Sequence, residues 1–227
     1  MSKKLFITGT GTDIGKTFIT GLIVKKLNES GEKVAYYKAA MSGNDYGIDG
    51  KLIPGDALHV KTVSKIKQPI EEMCPYIYKN PVSPHLASRI EGNPVQMKVV
   101  QKGFDLVCSK YDYVTMEGSG GIICPLCFDE NNLSLTNVIK KLNLSCIIVA
   151  DAGLGTINYV VLTVAYMREK NIPIKGIIFN HFHAGNVMEE DNLKMCEHMT
   201  GLKVLACVKD GDDKINISVD CLKSLYE

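Results

Sequence analysis

Residues 9–17 read Gly-Thr-Gly-Thr-Asp-Ile-Gly-Lys-Thr and follow directly on the apolar run Leu5-Phe6-Ile7-Thr8. A strand running into a glycine-rich turn, closed by Gly-Lys-Thr at a helix start, fixes one strand, one loop and one helix as a unit. The glycines let backbone N–H groups turn inward toward an anion, and the helix adds its positive N-terminal end. In such a loop Lys16 reaches terminal phosphates and the Thr17 hydroxyl takes a Mg²⁺ position. The spacing is a variant one. The glycine expected five residues before Gly15 is replaced by Thr10, flanked by Gly9 and Gly11.

The rest of the chain repeats this alternation. Apolar, β-rich runs occur at 5–8, 34–37, 113–116, 146–150, 176–179 and 203–208. Helical patterns are expected from Thr17 to before Gly31, and over 56–65, 133–142, 158–170 and 186–199. Another is expected to open at Asn93-Pro94 and run through about Ser109. Strands apolar throughout and separated by helices predict an α/β fold with a mostly parallel central sheet and helices on both faces. Ligands then gather at the carboxyl ends of the strands. Residues 43–55 form a long glycine-rich loop. With no linker or repeat, one domain over 1–227 is expected.

Composition narrows the function classes. Lys and Arg number 26 against 25 Asp and Glu, so no basic surface for nucleic acid or anionic membrane is expected. The four-residue apolar run near the N-terminus is too short for a signal peptide, and no stretch is long enough to span a membrane. A cytoplasmic protein is expected. The eight cysteines are scattered, several in apolar runs, so a disulfide framework is not expected. Cys124 and Cys127 form one C-x-x-C without the second pair a zinc site needs. His85, directly after Pro84, reads as structural. His181 and His183 read as exposed-loop residues rather than metal ligands.

Further polar residues stand at strand ends. Lys38 closes the second strand, where it is a cation for a ligand or merely a surface terminator. Glu117 closes the third and precedes Gly118-Ser119-Gly120-Gly121; a carboxylate there suits Mg²⁺ beside a phosphate, or caps a turn. Asp56, after Pro54-Gly55, is a ligand or a helix cap. The stretch 151–158, Asp-Ala-Gly-Leu-Gly-Thr-Ile-Asn, is a second glycine-rich turn whose amides could hold a carboxylate.

Taken in order, the loop at 9–17, Tyr37-Lys38 with Ser42-Gly43, Gly55-Asp56-Ala57, Pro81-Val82-Ser83-Pro84-His85, 117–121 and 153–158 resemble the dethiobiotin synthetases, over residues 3 to about 183. The resemblance implies a P-loop NTPase fold and an ATP-dependent ring closure. 7,8-Diaminopelargonate, CO₂ and MgATP give dethiobiotin, ADP and phosphate through a carbamate and its mixed anhydride with phosphate. It implies catalytic roles for Lys16 and Lys38, and Mg²⁺ on Thr17, Asp56 and Glu117. It implies nucleotide contacts at Asp13, Ile14, Gly15, Lys16, Thr17, Phe18, Glu117, Gly118 and Asn180, the last against the base. Substrate contacts are implied at Thr12, Lys38, Ser42, Gly120 and Gly121, and at Gly155 and Asn158 from a partner subunit, hence a homodimer with its site at the interface. Three positions depart from the family pattern. Ala39 follows Lys38 where proline is frequent, Tyr159 stands where histidine is common, and the last strand lacks the proline usual near the base. Partition-type ATPases, a rival class, carry a signature lysine where this chain has Gly11.

Overall fold

The computed structural model describes residues 2–128 and 132–227. In chain order the strands are β1 (Lys3–Gly9), β2 (Val34–Lys38), β3 (Tyr113–Glu117), β4 (Pro125–Cys127), β5 (Leu133–Ser134), β6 (Cys146–Asp151), β7 (Ile174–Asn180) and β8 (Val204–Cys207). The helices are α1 (Lys16–Glu29), α2 (Gly55–Ser64), α3 (Pro84–Ile90), α4 (Met97–Lys110), α5 (Leu135–Leu142), α6 (Thr156–Glu169), α7 (Val187–Thr200) and α8 (Val219–Ser224).

Six strands form one sheet in the order β2-β3-β1-β6-β7-β8, every pairing parallel. Alternate side chains of each strand feed two cores. Leu5, Ile7, Tyr36, Val149 and Ile178 pack with α1, α2 and α8, whereas Phe6, Ala35, Met116, Ile148 and Phe179 pack with α3 to α7. Both faces are therefore covered, which is why the middles of the strands are mainly apolar. At the last positions of β2, β3, β6 and β7, Lys38, Glu117, Asp151 and Asn180 fall in phase with Tyr36, Thr115, Val149 and Ile178, on the α1–α2 side. Strand periodicity thus delivers four polar side chains to one edge of one face.

Three predicted helix starts move by two residues or more; α6 opens at Thr156 rather than at 158. Helix α4 begins at Met97, not at Asn93-Pro94. The Asn93 carbonyl accepts from the Tyr78 hydroxyl at 2.6 Å, the Gln96 amide donates to Tyr76 Oη at 3.1 Å, and Val95 is buried. Those contacts hold the segment outside the helix. Helix α5 begins at Leu135, because Leu133 and Ser134 pair antiparallel with β4 and Ser134 closes a capping box with Asn137. The short elements β4, α3 and α8 carry too little periodicity to be read from sequence. Among the described residues no helix is long and apolar enough to cross a membrane.

Candidate active site

The loop between β1 and α1 is built on left-handed backbone at Asp13 (φ 58°) and Gly15 (φ 83°). Gly15 is required twice over. A Cβ there would lie 2.0 Å from Asn180 Nδ2, in a conformation that costs other residues about 1–2 kcal/mol. Gly15→Ala is expected to lower stability by about 2 kcal/mol, summing strain and a displaced Asn180, and to weaken ATP binding. Urea unfolding and nucleotide titration check both effects. Lys16 is buried, with its ammonium 2.7 Å from the Gly11 carbonyl across the loop. Burial, and then Lys38 nearby, hold the Lys16 pKa below the ordinary lysine value.

Beside the loop, three strand and helix ends converge. Lys38 Nζ lies 2.5 Å from Asp56 Oδ2 and 2.7 Å from Glu117 Oε1. Thr17 Oγ1 is 2.8 Å from Glu117 Oε1 and 3.2 Å from Asp56 Oδ1. Burial alone would push Lys38 down, but Glu117 and Asp56 outweigh it and hold its pKa above the ordinary value. For Asp56 burial pushes up, and Lys38, helped by Thr17, prevails and holds the carboxyl below its usual range. Asp56 therefore faces the cluster from the first turn of α2 and does not cap that helix; Glu117 is wholly buried and caps nothing. Lys38 is no surface terminator, being 5% exposed.

These groups open onto a cavity of about 400 Å³. Of the sequence-predicted residues Thr12, Asp13, Gly15, Lys16, Thr17, Lys38, Ser42, Asp56, Glu117 and Gly120 line it. Ser119 and Met41 line it too and were not anticipated. Others stand back. Ile14 packs its side chain into the core with Phe18, and Gly118 is wedged between Phe6 and Leu135. Gly121 shares with Thr12 a second, more apolar groove of about 380 Å³, bordered by Tyr159 and Leu162 of α6. Gly155 and Asn158, exposed at the start of α6, do not line the first cavity. Asn180 is buried behind the loop, its Nδ2 donating to the Ile14 carbonyl at 3.2 Å.

Two partners escaped the sequence. Tyr36, two residues before Lys38 and so on the same face, donates its hydroxyl to Glu117 Oε2 at 3.1 Å. Its i, i+2 spacing from a strand-end lysine was the available signal. Of the two histidines read as exposed-loop residues, His183 is exposed on the loop after β7, whereas His181 is partly buried. His181 Nδ1 sits 2.6 Å from Asp151 Oδ2, and His183, although half exposed, bonds Glu189. Cys124, next to Gly120, has its thiol pushed up to about 11 by burial, which keeps it protonated and unreactive at neutral pH.

A family model described as an AAA domain matches residues 3–216. Curated relatives carry the name ATP-dependent dethiobiotin synthetase BioD. That of Brachyspira hyodysenteriae is 48% identical over 95% of this chain and 96% of its own length. That of Clostridium botulinum (strain Loch Maree) is 44% identical over 100% and 99%. Among solved structures, a ParA family ATPase from Chlorobium tepidum superposes with a TM-score of 0.58 at 14% identity, over 94% of this chain and 87% of that one. That likeness is one of fold alone.

Proposed function

Since the chain belongs to the ATP-dependent dethiobiotin synthetase family, we propose that the cavity between Lys16 and Lys38 is where its reaction takes place. The protein is an ATP-dependent cyclo-ligase of biotin biosynthesis. It joins 7,8-diaminopelargonate and CO₂ as a carbamate, phosphorylates that carbamate from ATP, and closes the ureido ring to give dethiobiotin, ADP and phosphate. One observation carries the assignment: two lysines, two carboxylates and a threonine hydroxyl converge on one cavity beside the phosphate loop.

Phosphoryl transfer asks for positioning and charge more than for covalent chemistry. Lys16 exchanges its bond to the Gly11 carbonyl for a phosphate oxygen. Lys38, whose neighbours keep it protonated, serves as a fixed positive charge on the carbamate and not as a base. Thr12, Ser42, Gly120 and Gly121 border the carbamate end of the substrate, and Asn180 meets the base. Asp13, Ile14, Gly15, Phe18 and Gly118 complete the nucleotide side, Ile14, Phe18 and Gly118 by supporting the loop from behind.

Thr17, Asp56 and Glu117 are the residues that would hold Mg²⁺. Their hydroxyl and carboxylate oxygens are the hard donors the ion prefers, and the Lys38 ammonium seated among them marks a position shaped for a cation. When bound, the ion neutralises charge on the phosphates. Glu117→Gln is expected to raise the Mg²⁺ needed for half-maximal rate at least about tenfold. It should cost the fold less than loss of Lys38 does, because Lys38 keeps Asp56 as counter-charge and the amide oxygen can still accept from Thr17 and Lys38. An unchanged Mg²⁺ titration would remove Glu117 from the set.

The distal carboxylate of the substrate is assigned to Gly155 and Asn158 of a second copy. Leu154 in the turn before α6, Tyr159 and Leu162 along it, and Ile123 across the second groove are exposed apolar residues that fit such an interface. Leu162→Glu is expected to shift the protein from dimer to monomer in sedimentation; a monomeric parent protein would sink the arrangement. The cytoplasm, where ATP is supplied, is the compartment assigned. The deciding assay measures phosphate release from MgATP and bicarbonate with and without 7,8-diaminopelargonate. Diamine-dependent release with dethiobiotin as product is expected; diamine-independent release would favour an ATPase switch.

A further inference from the structure

Asn180 ends β7 with an unusual account of its polar atoms. Its Nδ2 lies 3.2 Å from the Ile14 carbonyl and 3.0 Å from His181 Nε2, while its Oδ1 is buried without a hydrogen-bond partner among the described residues. A buried acceptor left unpaired costs about 1–3 kcal/mol, so this oxygen is the side chain's free acceptor for an incoming donor. A carbonyl only accepts, so Ile14 fixes the amide with its NH₂ toward the loop. The second amide hydrogen then meets His181 Nε2, which accepts only while unprotonated. The ring proton must sit on Nδ1, and there Asp151 Oδ2 receives it at 2.6 Å. Asp151 is itself anchored, its Oδ1 accepting the Gly153 amide at 2.7 Å. The left-handed backbone of His181 (φ 54°) turns the ring back over Asn180.

We propose that His181, held by Asp151, is a positioning residue that fixes which way the Asn180 carboxamide faces and thereby sets which nucleotide bases are accepted. The inference rests on the reading that Asn180 meets the base. Both amide hydrogens are engaged, so the side chain offers the base its oxygen alone. That oxygen pairs with an exocyclic amino group, as adenine and cytosine carry, and repels the keto oxygen that guanine and uracil place at the corresponding position. The site therefore selects nucleoside triphosphates with an amino-bearing base edge. Asp210 Oδ1, 3.5 Å from Nε2 on the loop after β8, is the group that competes for His181 from the remaining side.

Steady-state kinetics with ATP and GTP in the Mg²⁺-supplied enzyme test this. The parent protein should prefer ATP at least about tenfold in kcat/KM, the worth of one correctly faced hydrogen bond. His181→Phe keeps a ring but no acceptor. It should lower that ratio about tenfold through KM, with kcat for ATP within about twofold. His181→Asn tolerates the left-handed backbone and retains an accepting oxygen, so it should recover part of the ratio. Asn180→Ala separates the two layers of the argument. A ratio unchanged by Asn180→Ala removes Asn180 from the base, whereas a ratio lost there but kept in His181→Phe overturns the role of His181. Nitrogen NMR of the unsubstituted protein gives an answer independent of any variant's folding. The Nδ1–H tautomer of His181 is expected, and an Nε2–H tautomer overturns the proposal.

Discussion

Replacing Lys38 with methionine is expected to lower stability by about 3 kcal/mol and to abolish most turnover. Glu117 is wholly buried and depends on Lys38 for counter-charge, and removing one partner of a buried pair costs about 3–5 kcal/mol. The lower end applies because the Asp56 side chain is 39% exposed and its pair is partly screened. Folding and catalysis therefore both rest on this lysine. The pH behaviour has a definite sign. Asp56, held below its ordinary value of 3.8, contributes stability above that value, and the contribution is lost as pH falls through the lower folded value. Lys38, held above 10.5, contributes fully below that value, and the contribution is lost as pH rises through the higher folded value. Between these limits the cluster's contribution to the parent protein is flat. Chemical denaturation measures the deficit of the variant; one below about 1 kcal/mol would contradict the buried ion-pair reading.

Lys16→Ala is expected to leave the fold within about 1 kcal/mol of the parent and to lower kcat about 10³-fold. The contrast with Lys38 comes from the partner. Lys16 bonds a carbonyl of its own loop, so its loss leaves no buried carboxylate without a counter-charge. What disappears is a donor aimed into the cavity, where a transferring phosphoryl group spreads charge over its oxygens. Single-turnover kinetics beside thermal unfolding separate the two lysines: one variant is folded and slow, the other slow and unstable. Near-normal turnover in Lys16→Ala would take the phosphate-binding role from this loop.

Much of this was legible before any coordinates. The six central strands were apolar runs bounded by glycine and polar residues, and Lys38 and Glu117 declared themselves by ending such runs. Asp56 was visible as a residue but not as a role. Whether it capped α2 or faced the site depended on how the loop at 43–55 closes, which the Asn44 side chain does by accepting the Gly55 amide. The contacts of Tyr36 with Glu117 and of His181 with Asp151 join residues 81 and 30 positions apart and leave no local trace. The start of α4 failed for a related reason. A good capping sequence at Asn93-Pro94 was overridden by Tyr76 and Tyr78, hydrogen-bonding from a distant segment.

The strand register bears on how such a chain can change in length over evolution. Lys38 and Glu117 are direct partners on neighbouring parallel strands, as are Asp151 and Asn180, and each pair points to the same face. Losing one residue inside β2, β3, β6 or β7 turns a strand's end residue toward the α3–α7 face and buries its charge or amide among apolar side chains. An insertion among residues 47–51, a turn whose ends are already joined by the Gly47 amide and the Lys51 carbonyl, changes no strand phase. Insertions and deletions among homologues should therefore crowd into turns of that kind and be missing from the last two residues of every central strand.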